Sequence, residues 1–325
     1  MNFVIVGCGL IGRKRAKALR AAGHTVRLAA DFIADRAESL ARECCGASHS
    51  TDWQESVSNS DVDAVVVATT NEWLAPVTTA AIRAGKHVIV EKPAARTVGE
   101  IDCVIREARR SGVHVQVGFN HRYHPALQKA RSLCDAGLLG PLLFVRGRYG
   151  HGGRLGYEKE WRSNPEISGG GELIDQGVHL IDLARWFLGD FTRVEGHAKT
   201  YFWNMPVDDN AFLSLRTAAD QTAWLHVSCT EWKNLFSLEI YGHDGKIDIQ
   251  GLGGSYGVER IAYYKMLPRM GPPETTIWEY SGEDNSWQLE LNDFDQSIKS
   301  GKSSGPSLAD ARAALQIVET IYGTA

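Results

Sequence analysis

The chain has 325 residues, of which 43% are hydrophobic and 23% charged, and a formal net charge of −4. That length suits two domains, the composition is that of an ordinary globular protein, and the acidic balance argues against a nucleic-acid binder, which carries a basic excess. No apolar run reaches a membrane span, so no membrane partner is expected, and six cysteines without Cys-x-x-Cys spacing read as free thiols in a reducing cytoplasm.

The first residues, Met1-Asn2-Phe3-Val4-Ile5-Val6-Gly7, lack a basic leader and a small-residue cleavage site and read as a first strand rather than a signal peptide. Short apolar runs at 3–6, 25–30, 64–68, 87–90 and 113–118 then alternate with helical stretches at 13–22, 35–45, 75–84 and 98–111. Runs this short, separated by helices, predict parallel strands buried on both faces: a doubly wound α/β (Rossmann) domain over residues 1–120. Beyond Gly118 the rhythm changes. Residues 124–136 and 173–187 are helical in pattern, and strand-like segments follow at 142–149, 193–202, 211–217, 222–229, 237–241, 246–250, 258–264 and 275–280. In 222–230 the residues Ala223, Leu225, Val227 and Cys229 share one face, with Trp224, His226 and Ser228 on the other. His243-Asp244-Gly245 is a turn signal between two strands. Residues 121–325 therefore read as an α+β domain with a large, mostly antiparallel open sheet. A proline-rich loop at 266–274 precedes a last helix, 307–322, with Ser307 as its N-cap, expected to pack back on the first domain.

Gly7-Cys8-Gly9-Leu10-Ile11-Gly12 sits where the first strand turns into the first helix. Gly7 permits the tight turn, Gly9 lets the backbone approach a pyrophosphate, and Gly12 lets helix pack on strand, while the helix N-terminus offers amides and a positive dipole end. Asp31 ends the second strand about twenty residues on, where a ribose-binding carboxylate belongs. It favours NAD over NADP, since it would repel a 2′-phosphate; Arg13 and Lys14 nearby soften that preference and leave NADP open. A methyltransferase with a similar glycine turn competes for this half alone. Glu91-Lys92-Pro93 follows the strand at 87–90, which puts Lys92 at the cofactor crevice beyond a strand end, with Pro93 a candidate cis proline. Asp175 and His179 lie four residues apart after Gly169-Gly170-Gly171. One helical turn would aim carboxylate and imidazole the same way, a proton-transfer pair, and the glycines would admit another molecule close to the backbone.

Together with Ala68-Thr69-Thr70-Asn71, Ala84-Gly85-Lys86-His87-Val88 and Gly118-Phe119-Asn120-His121-Arg122-Tyr123, these blocks make the chain resemble the glucose–fructose oxidoreductase / inositol dehydrogenase (Gfo/Idh/MocA) family over essentially its whole length. The resemblance implies NAD(P)-dependent oxidation or reduction of a sugar, cyclitol or sugar derivative, and association as a homodimer or homotetramer, often through the open sheet. It implies that His179 is the general base, that Lys92 donates to the same carbinol oxygen, and that Asp175 orients His179 or binds a neighbouring hydroxyl. It places Gly7, Gly9, Leu10, Ile11, Gly12, Asp31, Thr69, Asn71, Glu91 and Lys92 against the cofactor, with Thr69, Asn71 and Glu91 facing the nicotinamide ribose.

Weaker signals surround this set. Arg122 reads equally as a substrate contact or a structural ion pair. His121 and His124, three apart, lack the Cys or carboxylate cluster of a metal site, and hydride transfer to nicotinamide needs no metal. The stretch 151–162 is rich in Gly, Arg, Tyr and Trp, as suits a polyhydroxylated ring, so Arg154, Tyr157, Trp161 and Arg162 are candidate substrate contacts. Arg148, Arg154, Lys159 and Arg162 together would suit an acidic or nucleotide-linked sugar. Trp203, Trp224 and Trp232 are expected to be buried in the sheet or an oligomer interface. The expected activity is an NAD-dependent oxidoreductase acting on a ring carbinol or ketone of a sugar, including nucleotide sugars. The alternatives are a cyclitol or aldose dehydrogenase and, further off, a non-catalytic NAD-binding regulator.

Overall fold

The structure, a computed structural model, describes residues 1–323. The chain divides into two compact units: residues 1–119, 166–169 and 287–316 form the first, and residues 120–165, 170–286 and 317 onward the second.

The first unit opens with β1 (Asn2–Val6), α1 (Leu10–Ala21), β2 (Thr25–Ala30), α2 (Ala34–Glu43), β3 (Ser48–Ser50), α3 (Trp53–Ser58), β4 (Ala64–Val67), α4 (Asn71–Arg83), β5 (His87–Glu91), α5 (Val98–Ser111) and β6 (Val115–Gly118). The strands form one sheet in the order β3-β2-β1-β4-β5-β6, and every pair is parallel. Ala64-Val65-Val66-Val67 is buried at all four positions, as a strand covered on both faces must be. The order reverses between β1 and β4, the place where such sheets leave a crevice beyond their strand ends. Local signals set the helix limits: the Thr97 hydroxyl accepts from the Glu100 amide to start α5, and Gly112 at φ +71° ends it.

The second unit contains α6 (Pro125–Asp135), β7 (Leu142–Gly150), β8 (Phe191–Lys199), β9 (Asn210–Thr217), β10 (Thr222–Ser228), β11 (Leu235–Gly242), β12 (Gly245–Gln250), β13 (Glu259–Lys265) and β14 (Glu274–Tyr280). A single turn, α7 (Pro165–Ser168), and then α8 (Val178–Leu188) lie between β7 and β8. The sheet order is β14-β13-β12-β11-β7-β10-β9-β8, antiparallel throughout except that β10 runs parallel to β7. Only His243 and Asp244 separate β11 from β12, the two-residue hairpin the sequence signals. One face of the sheet carries the core. Ala223, Leu225 and Val227 of β10 and Leu238 and Ile240 of β11 are buried there, and Gly147 admits Leu180 of α8, whose Cδ2 would lie 3.2 Å from an added Cβ. The other face is open. Of the two places expected for Trp224, the sheet interior and an oligomer interface, the first does not hold: it is 64% exposed on this face, because strand alternation that buries Ala223 and Leu225 turns their neighbour outward; Trp232 is exposed as well.

Two helices close the chain: α9 (Ser286–Ser300), where the sequence reading leaves no element, and α10 (Leu308–Gly323). α9 contributes Leu291 and Phe294 to the first unit's core, beside Phe3, Ile5, Leu19 and Ile89. It also brings a carboxylate into that interior. Arg15 of α1 is 2% exposed, and its Nε donates to Glu91 Oε1 at 2.7 Å while Nη1 donates to Glu290 Oε2. The Gln116 amide donates to the Glu290 carbonyl at 3.1 Å, and the Trp287 ring lies 4.5 Å from the guanidinium carbon. An added Cβ on Gly118 would stand 2.7 Å from Arg15 Nη2 and 3.0 Å from Glu91 Oε2, so the glycine makes room for the ion cluster. One buried cation facing two carboxylates leaves one negative charge in excess. Burial pushes the Glu290 carboxyl up to about 7, against the pull of Arg15 and with a further push from Glu91 and Asp293.

A carboxyl raised on folding contributes stability that is full below its unfolded value, 4.5, and is lost as pH rises through about 7. Glu290→Gln removes that titration. Thermal melts of both proteins from pH 5 to pH 8 should show wild type losing about 2.5 kcal/mol relative to the variant across that window. Melting curves that stay parallel would refute the assignment.

Candidate active site

In the first unit, β1 delivers the chain to Gly7, whose φ of +97° and neighbours demand glycine: an added Cβ would lie 2.3 Å from the Ala68 carbonyl oxygen. Gly12, in the first turn of α1, is tighter still, since its Cβ would sit 2.0 Å from the Gly7 oxygen. Gly9 differs. No atom lies within 4 Å of its virtual Cβ, so this backbone faces open space, as an approach site for pyrophosphate requires. Leu10 and Ile11 follow, Leu10 exposed, and no acidic residue opposes the dipole in the first turn of α1. Asp31 stands at the end of β2. Its Oδ2 accepts from the Cys8 amide at 2.8 Å and its Oδ1 from the Ile33 amide at 2.9 Å, which ties the ribose candidate to the glycine turn.

Thr69 and Asn71 flank the start of α4. Thr69 donates to the Thr70 carbonyl at 3.1 Å; the Asn71 amide is buried and donates to the Ser168 carbonyl at 2.8 Å. At the end of β5, Glu91 is turned into the interior toward Arg15, so the carboxylate expected on the nicotinamide ribose is an ion-pair partner. Lys92 comes next, half-buried, and the Lys92–Pro93 peptide is cis.

In the second unit, residues expected as one continuous helix are a π-helical turn, Leu173–Gly177, that runs into α8. Asp175 lies in that turn and His179 in the first turn of α8, both almost fully buried. Such turns recur where backbone is shaped for a site. The glycines before it serve a purpose other than the one expected. An added Cβ would lie 2.0 Å from the Asp208 carbonyl oxygen at Gly171 and 2.3 Å from the Tyr322 hydroxyl at Gly170, so the molecule that approaches closely is this chain itself. Asp208 Oδ1 accepts from the Gly171 amide at 2.9 Å and the Tyr322 hydroxyl at 2.8 Å, and Oδ2 accepts from the Leu173 amide at 2.8 Å. These bonds fasten the entry to the turn.

Arg162 Nε donates to Asp175 Oδ2 at 2.9 Å, and the Asp175 charge raises the guanidinium above its ordinary value. Nearby, His151 Nε2 lies 3.6 Å from Glu172 Oε1; burial alone would lower His151, but the Glu172 carboxylate outweighs it and holds the imidazole above its ordinary value. Burial likewise pushes Glu172 and Tyr157 up. Tyr157 is buried 5.7 Å from Trp203, and Trp161 stacks under Arg162 at 4.6 Å. The His179 ring lies 3.8 Å from His121, a neighbour that sequence reasoning weighed only as a metal ligand. His124, its other half, bonds Glu259 at 3.0 Å.

The expected basic cluster does not assemble. Arg148 lies on the open face of the sheet, opposite its buried neighbour Tyr149, because strand positions alternate. Arg154 pairs with Glu160 at 2.6 Å and Arg162 with Asp175. Of the two roles open to Arg122, the structure contains the ion pair: its Nε and Nη2 donate to Asp182 at 2.8 and 2.6 Å, buried.

Residues 1–119 match the family model described as an oxidoreductase family with an NAD-binding Rossmann fold, and residues 127–248 match the GFO/IDH/MocA C-terminal domain. The chain is 30% identical to inositol 2-dehydrogenase 2 of Saccharopolyspora erythraea, across 87% of this chain and 76% of that one. It is 27% identical to scyllo-inositol 2-dehydrogenase (NAD(+)) of Bacillus subtilis, across 100% and 93%. Among solved structures, levoglucosan dehydrogenase in complex with NADH and levoglucosan superimposes with a TM-score of 0.89 at 25% identity, covering 99% of this chain and 97% of that one.

The contrast between Gly9 and Gly12 separates binding from folding. Gly9→Ala should melt within a few degrees of wild type yet lose NADH affinity in a fluorescence titration. Gly12→Ala should be destabilised by about 2 kcal/mol or more, since helix and strand must move apart. Equal stability losses in the two variants would contradict this division.

Proposed function

The chain belongs to the GFO/IDH/MocA oxidoreductase family, and we propose that it transfers a hydride between NAD and a ring carbinol or ketone of a neutral sugar or cyclitol. The observation that carries the reading is the buried His179, one turn from an Asp175 carboxylate that Arg162 holds in place. When bound, the nicotinamide takes up or returns the hydride. The His179 imidazole takes the hydroxyl proton during oxidation and returns it during reduction. Arg162 donates to the Asp175 carboxylate and holds it in place one turn before His179. The role of Lys92, donation to the same carbinol oxygen, rests on the family resemblance. The open Gly9 backbone and Asp31 support NAD as the cofactor.

Neutral substrates are favoured because the arginines of the 151–162 stretch are committed to Glu160 and Asp175. The inositol dehydrogenase relatives keep a cyclitol beside a pyranose. A cytoplasmic location is in keeping with six free cysteines.

The open face of the second sheet supports self-association. It holds a cleft of about 560 Å3 lined by Arg148, Trp224, His226, Glu239, Asp248 and Gln250, a mixture of signs that a second copy of the same face can complement.

His179→Ala should lower turnover by about 10²–10⁴-fold with NADH affinity near wild type. The assay follows NADH absorbance over a panel of pyranoses, anhydro-sugars, inositols and nucleotide sugars. A parallel loss of cofactor binding would remove His179 from its role, and a nucleotide sugar turned over better than every neutral compound would overturn the substrate class. Trp224→Glu should reduce the sedimentation coefficient from that of a dimer or tetramer to that of a monomer. A wild-type monomer at micromolar concentration would end the self-association proposal.

A further inference from the structure

His121 belongs to a short helical turn, Asn120–Tyr123, directly after β6. Its ring centroid lies 3.8 Å from that of His179 with the planes 39° apart, and both rings are about 5% exposed or less. Other rings box it in. The Tyr149 ring meets it edge-on at 5.0 Å, Phe236 lies at 6.0 Å, and His124, fixed by Glu259, lies at 5.6 Å. The titratable neighbours in ring contact are His124, which bonds Glu259, and the Tyr149 phenol, which burial pushes up. Two imidazolium ions in ring contact would repel strongly at this depth, whereas the face of a neutral ring favours a cation stacked on it.

We propose that His121 is a positioning residue for His179: its neutral ring clamps the His179 ring in one orientation and supports the imidazolium formed when the hydroxyl proton arrives. This rests on His179 being the base. The proton travels only between the substrate oxygen and His179, and His121 changes neither its bonds nor its charge.

The test compares His121→Phe, which keeps a ring, with His121→Leu and His121→Ala, which do not. Expected is a loss of about tenfold or more in kcat for Leu and Ala, with KM and NADH affinity little changed, and recovery to within about threefold of wild type for Phe. A Phe variant as slow as Leu would overturn the ring clamp, and so would a Leu variant with wild-type kcat. If Ala does not fold, the Phe–Leu comparison stands alone. Full activity in His179→Ala would be a different failure, that of the base assignment itself; loss of turnover in His179→Ala together with wild-type turnover in His121→Leu condemns only the clamp.

Discussion

Arg15 reaches Glu91, 76 positions away, and Glu290, 275 positions away, from a site that water barely touches. Its guanidinium joins three elements that carry the cofactor half of the protein: α1, which begins in the glycine turn; β5, which ends at Glu91 just before Lys92; and α9, which returns from the far end of the sequence. Charges buried this deeply are stable only while the cation stays between them, and removing Arg15 would leave two uncompensated carboxylates at a cost of about 3–5 kcal/mol. The position of β5, and with it the start of the Lys92–Pro93 turn, is therefore fixed by electrostatics as well as by the parallel ladder. Burial above all, with a further push from Glu91 that a single arginine does not cancel, holds the Glu290 proton toward neutrality.

The second unit uses a buried acid in the same manner but for a different backbone. Asp208 offers both oxygens to amides at the mouth of the π-helical turn and takes a hydroxyl from Tyr322. A π turn widens the helix by one residue, so the side chains ahead of it are rotated relative to those of α8. Asp175 lies within that widened turn, and Arg162 meets its carboxylate there. Gly170 and Gly171 are needed because Tyr322 and Asp208 press on the backbone, a constraint internal to the chain.

The strands and most helices were legible because their signals are local. Alternating apolar runs, the two-residue turn before β12 and the glycine turn after β1 each depend on neighbours within a few residues. α9 was legible too and was passed over: Trp287, Leu291, Phe294 and Ile298 recur at helical spacing, and Asp284 accepts from the Ser286 amide and hydroxyl at its start. What sequence could not supply was the destination of long-range polar groups. Glu91 lies in a motif that suggested a ribose contact, yet its partner comes from α1; the triple glycine suggested a ligand, yet its neighbours come from residues 208 and 322. Arg148 and Arg162 look alike in a one-dimensional list of basic residues. The pleat of β7 sends the first to the open sheet face, and a carboxylate 13 positions on captures the second.

Those captures bear on chemistry. Arg122, Arg154 and Arg162 each end on a carboxylate of this chain, so the second unit spends its guanidinium groups on its own acids rather than on a ligand's. A site whose fixed charges are already balanced selects by shape and hydroxyl pattern, and it penalises an added phosphate, which would have to break an existing pair before gaining one. On the proposed function the hydroxyl proton passes to His179, whose ring packs against a second imidazole, and the charge balance around Asp175 suits a neutral polyhydroxylated ring.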